Sequence, residues 1–138
     1  MGDSAIEQKN YSFITSVSAV YPQFTIKPST RFSFRAPHTI YCNLNDPDFT
    51  LLFLHELGHA LLGHTTFKTD IDRVKMESAA WNKARSLCKK FDIPYNEDFA
   101  ENQLDTYRNW LHSKSLCKKC GLTRYQTPDG KYHCPHCE

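Results

Sequence analysis

Two imidazoles and a carboxylate stand close together in the middle of this 138-residue chain, as His55-Glu56-Leu57-Gly58-His59. On an α-helix, residues four apart project from one face. His55 and His59 at that spacing can bind one Zn²⁺ through ring nitrogens at about 2.0–2.1 Å. Glu56, next to the first ligand, can reach a water on the metal without being a ligand itself. Zinc lowers the pKa of that water towards about 7, and Glu56 can take its proton and later pass it to a leaving amine. That is the chemistry of amide hydrolysis.

A catalytic zinc needs a third protein ligand and an open fourth position. His64 follows His59 by five residues, one short of the six in the His-x-x-Gly-x-x-His spacing of metzincins, and on a continuing helix it would point nearly opposite His55. Glu77 is the stronger candidate. It lies 18 residues after His59 in Met76-Glu77-Ser78-Ala79-Ala80-Trp81, where small neighbours allow its helix to approach closely. Asp70 and Asp72 read as acidic residues of a helix N-terminus.

A second constellation closes the chain. Cys117 and Cys120, then Cys134 and Cys137, form two Cys-x-x-Cys knuckles around residues 121–133. Four thiolates at this spacing are a structural-zinc signature. A segment of some 25 residues cannot bury enough core alone, so the metal would hold it together. Tyr125 and Tyr132 fall on the two strands of a hairpin whose turn is Pro128-Asp129-Gly130. Cys42 and Cys88, the remaining cysteines, read as small buried hydrophobes.

The elements that must position these groups follow from periodicity. Ser4 to Val20 reads as a helix, with Ile6, Phe13, Ile14, Val17 and Val20 on its apolar side and Pro22 beyond its end. Short strands are expected over Phe24–Lys27, Arg31–Arg35 and Thr39–Leu44, forming a small antiparallel sheet. The last of these, just before the His-Glu helix, could serve as an edge on which a peptide substrate adds as a strand. Asn45-Asp46-Pro47 starts a helix that runs to about Leu62, with Gly63 as C-cap. Leu51 to Leu54, Leu57 and Ala60 to Leu62 make it apolar almost all round, the mark of a buried helix. Gly58 costs about 1 kcal/mol there relative to alanine, so it fits a place where another element passes close. Thr69-Asp70 starts a helix through about Phe91, and Asn96 caps a last one to about His112, with Phe99, Leu104, Tyr107 and Leu111 as its apolar face. The predicted class is α+β: a helical, zincin-like core with a small antiparallel sheet over residues 1–112, and a zinc ribbon over 113–138.

Hydrophobic residues at 40% and charged residues at 23% are ordinary globular values. Residues 1–9 lack the apolar core of a secretory signal, and no apolar run is long enough to span a bilayer. The cytoplasm is therefore the expected compartment, and there the cysteine pattern favours metal over disulfides. The formal net charge is +2, and the last 27 residues hold five Lys or Arg against two acidic residues. Four thiolates on one Zn²⁺ would add −2 to that tail. Lys118, Lys119, Arg124 and Lys131 with the two tyrosines could touch nucleic acid, though the charge excess is a weak argument for it, or could contact a protein substrate.

The run His55-Glu56-Leu57-Gly58-His59-Ala60-Leu61-Leu62-Gly63-His64, followed by a helix carrying Glu77-Ser78-Ala79-Ala80-Trp81, resembles the ImmA/IrrE metallopeptidases of bacteria, their phages and mobile elements. The likeness covers roughly residues 5–111 and includes the element order. It implies that His55, His59 and Glu77 bind catalytic zinc and that Glu56 is the base. It also implies that the substrate is a specific protein, a DNA-binding repressor or regulator of a phage or mobile element. The family's glutamate helix often carries a second acidic residue near the ligand, where Ala79 and Ala80 stand here. Two other readings start from the ribbon. SprT-like proteases join a His-Glu-x-x-His helix to a C-terminal zinc ribbon and act on DNA-bound proteins, with a downstream histidine as third ligand. Alternatively, the chain is a non-catalytic zinc-stabilised interaction module, since Tyr41, His38, His64 and Tyr107 are only candidates for stabilising an oxyanion.

Overall fold

A computed structural model describes residues 2–137, with side chains from residue 5 onward. The chain is α+β. Among the described residues the order is α1 (Gly2–Val20), β1 (Thr25–Pro28), β2 (Ser33–Arg35), β3 (Thr39–Cys42), α2 (Phe49–Leu61), α3 (Asp70–Lys90), α4 (Glu97–Ser115), β4 (Tyr125–Gln126) and β5 (Tyr132–His133). Among the described residues, no helix is long and apolar enough to cross a membrane. Two compact units divide the chain. One comprises residues 1–65 and 79–95, the other 66–78 and 96–138, so the boundary passes through the unbroken helix α3. The boundary expected near Ser113 falls inside α4.

The first unit is built around α2. Phe49, Phe53, Leu54 and Leu57 are almost wholly buried, as the all-round apolar pattern requires. Phe53 meets Phe13 of α1 edge-on at 6.0 Å, and Phe13 meets Phe91 in the same way. Asn10 Nδ2 donates to the Leu44 carbonyl at 2.7 Å, which pins α1 to the chain leaving β3. Along β3, Ile40 and Cys42 are fully buried while Thr39 and Tyr41 are half-buried, the period-2 alternation of a strand with one face on the core.

The sheet is mixed rather than antiparallel. Its order is β1-β3-β2. β2 pairs antiparallel with β3, Phe34 opposite Ile40, while β1 pairs parallel with β3, Ile26 opposite Ile40. Parallel neighbours need a long crossover, and here the crossover contains β2 itself. Alternation along a strand reports which face is buried, and not the direction of its partner. β3 is consequently the central strand, with both edges occupied. It is not an edge to which a peptide can add.

Helix α2 starts at Phe49, later than Asp46-Pro47 suggests. Asp46 Oδ1 accepts the Asp48 N–H at 2.8 Å and closes a turn ahead of the helix. At the other end, Gly63 at φ 68° lets His64 N–H reach the His59 carbonyl at 3.1 Å and Gly63 N–H reach Ala60 at 3.2 Å. This is a Schellman ending, and it turns the chain back on the helix.

In the second unit, Asn96 Oδ1 accepts the Phe99 N–H at 3.0 Å and caps α4, and Leu104 is buried on the expected face. The hairpin pairs Tyr125 with His133 and Gln126 with Tyr132. Gly130 at φ 88° makes its turn, with Gly130 N–H bonded to the Thr127 carbonyl at 2.8 Å.

Candidate metal centres

The structure brings together the three residues singled out from spacing. His55, His59 and Glu77 offer ligand atoms that all lie within 4.8 Å of one another. They are 7%, 8% and 8% exposed. Helix α2 supplies the histidines, whose rings sit 4.7 Å apart. Gly58 sets the approach of α3: a Cβ built there would come 2.6 Å from the Ala80 carbonyl oxygen. Only the absence of a side chain lets the two backbones come so close. Glu77 stands one turn before Ala80 and Trp81 on the same continuous helix, so this close approach also brings its carboxylate to the histidines. Trp81 stacks on the His55 ring at 4.5 Å with the planes 8° apart, which fixes the ring's orientation.

Glu56 is outside the ligand group. Its side chain is 12% exposed, and its Oε1 lies 4.0 Å from His55 Nδ1, beyond hydrogen-bond range. The carboxylate is thus beside the group without being part of it.

His64 is nearer than its spacing implied. Its Nδ1 lies 2.8 Å from His59 Nδ1, and it is not a member of the ligand group. One of these two nitrogens carries the shared hydrogen. With His59 Nε2 turned to a metal, its Nδ1–H would donate to His64, the usual way a ligating histidine is held in one tautomer. The signal in the sequence was Gly63, since a chain that leaves a helix through a Schellman turn folds back over its last turn. Among the other polar candidates, Tyr107 lies 5.2 Å from the Arg73 guanidinium in the second unit, and His38 is exposed.

The four cysteines converge as expected. Cys117 and Cys137 sulfurs are 3.8 Å apart, and Cys120 and Cys134 sulfurs 3.6 Å. A tetrahedron with metal–sulfur bonds of about 2.3 Å has edges of about 3.8 Å, so the cradle fits a single ion. The N–H groups of Cys120 and Lys119 point at Cys117 and pull its thiol down to about 6. A hydrogen bond with Cys120, aided by burial, pushes Cys137 up to about 12. Cys42 and Cys88 are buried, and burial pushes each up to about 11. They are packing residues rather than thiolates.

Among the described residues, two groups could therefore hold a metal ion, one His₂Glu and one Cys₄. No family model, curated protein or solved structure matches the chain.

Proposed function

We propose that the chain is a zinc-dependent endopeptidase of the ImmA/IrrE kind, cutting one specific protein, a transcriptional repressor or similar regulator of a phage or mobile element. The observation that carries the reading is the buried His55–His59–Glu77 group with Glu56 beside it. Two imidazoles and a carboxylate, all buried and with ligand atoms within 4.8 Å of one another, make a compact donor set for one cation. Two nitrogens and one oxygen are the donor set of catalytic zinc sites that keep one position open. The likeness of the His55–His64 run and of the Glu77 helix to that family is what points to a repressor. A carboxylate, rather than a downstream histidine, as third member of the group favours this reading over a SprT-like protease.

Zinc held there would supply Lewis acidity, making a water acidic and polarising the scissile carbonyl. The chain's own residues do the rest. Glu56 takes the proton from the attacking water and returns it to the leaving nitrogen. Trp81 holds the His55 ring by stacking, and His64 holds His59 through Nδ1. The Cys₄ group binds a second zinc, with a structural role, thiolates being the donors that select such a metal.

The test is metal content beside cleavage. The wild-type chain should carry two zinc ions, and His55→Ala and Glu77→Ala one each. Glu56→Gln should keep both ions and lose proteolysis of candidate repressors, read by intact mass, by about 10²–10⁴-fold. Full activity in Glu56→Gln would exclude this mechanism.

A further inference from the structure

The second unit contains both the ribbon and the turn of α3 that bears Glu77. Asp70, Arg73 and Glu77 lie three and four positions apart and form one stripe of that helix. The stripe is gripped at its start. Gln126 Oε1, on β4 of the ribbon, accepts the Asp70 backbone N–H at 2.7 Å. That N–H belongs to the first turn of α3 and has no partner within the helix, so the ribbon caps α3 from 56 residues away. Gln126 Nε2 donates to the Gly130 carbonyl at 2.8 Å, which fixes the orientation of the amide.

The Asp70 side chain is only 7% exposed. It accepts from the Tyr132 hydroxyl on β5 at 2.5 Å, and Lys114 Nζ lies 3.0 Å away. Burial works to raise the Asp70 pKa, and the Tyr132 and Lys114 contacts outweigh it, holding the carboxyl below its usual value. One turn on, the Arg73 guanidinium lies over the Trp110 ring of α4 at 4.8 Å. Helix ends fray unless tied down, and Glu77 is only two turns from the first residue of α3. Gln126 and Tyr132 lie in the loop-rich segment between the cysteine pairs, whose fold an ion held by the four cysteines would stabilise.

We infer that the Cys₄ ribbon is a positioning device for Glu77: an ion in the ribbon sets Gln126 and Tyr132 on the first turn of α3 and so raises the affinity of the His55–His59–Glu77 group for its own ion. This rests on the reading of that group as a metal site. The coupling is reciprocal, since each ion raises the affinity for the other by the same factor.

Cobalt(II) tests it on the full chain, because a thiolate site gives intense near-ultraviolet charge-transfer absorption and a His₂Glu site gives only weak visible bands. Tyr132→Phe and Gln126→Ala should leave the thiolate titration intact and weaken the second Co²⁺ by about tenfold. In a Glu77→Ala background, which carries one ion as purified and whose residual His55–His59 affinity is read at millimolar Co²⁺, the same changes should weaken that residual binding no further, because the clamp acts through Glu77. Unchanged second-site affinity in both variants, or an equal loss in the Glu77→Ala background, would overturn the inference while leaving the metal site standing. A wild-type chain that takes up a single Co²⁺, with thiolate bands only, would overturn the metal-site reading and this inference with it.

Discussion

The two ligand groups contrast in how they are assembled. The Cys₄ ligands come from 21 consecutive residues and from turns of the ribbon itself, among them the knuckle in which Gly121 N–H bonds the Cys117 carbonyl at 2.8 Å. The His₂Glu ligands come from two helices, and their meeting depends on one missing Cβ at Gly58. A local site of this kind needs its ion in order to fold. The helical site is shaped by the packing of Phe53, Leu54, Leu57 and Trp81 around it, so its geometry should outlast the loss of its ion. On the proposed reading, the first kind of site suits structure and the second suits chemistry, where a fixed arrangement must survive exchange of water and substrate at an open position.

With both groups holding zinc as proposed, stripping the ions with a strong chelator is the largest perturbation of this contrast. Structural zinc contributes on the order of 10–16 kcal/mol in isolated finger peptides, so amide protection across Tyr125–His133 should collapse. Protection in α1 and α2 should persist. A hairpin that stays protected without metal would break the comparison.

Gly58→Ala comes next. The added methyl meets a backbone oxygen, which cannot swing aside, so the helices must part. Overpacking of this kind costs about 1–3 kcal/mol, seen as a lower midpoint of thermal unfolding, and zinc in the His₂Glu group should weaken while the Cys₄ ion is unaffected. An unchanged midpoint would mean that the approach of α3 is looser than 2.6 Å implies.

His64→Ala is the mildest of the three. Removing a partner that holds a ligating histidine weakens metal binding by about tenfold, and the effect should be confined to the His₂Glu site in a competition titration. Equal binding by both proteins would reduce His64 to a helix-end residue.

Much of the fold was legible because it is local. Apolar spacing located the four described helices to within a few residues, Asn96 marked the start of α4, and Pro128-Asp129-Gly130 marked the hairpin turn. The sheet was not fully legible, since period-2 alternation carries no information on strand order or direction, and β3 proved central. At the candidate site, the i, i+4 histidines are a helix property and the four cysteines a spacing property. The position of His64 was not legible, because helical projection places a side chain only as far as Leu62, and the direction the chain takes after the Gly63 turn depends on the fold around it.

Residue types and short-range spacing alone determined which side chains could bind metal: His55, His59 and four cysteines, with Glu77 and Glu56 as the associated carboxylates. Only the tertiary structure decided that Glu77 reaches the histidines, that His64 sits on His59 and that the ribbon caps α3. Each of those depends on where separate segments pack, through the close approach at Gly58, the reversal at Gly63 and the Gln126–Asp70 bond. Packing of distant segments is a property of the whole core, which no local pattern in the chain encodes.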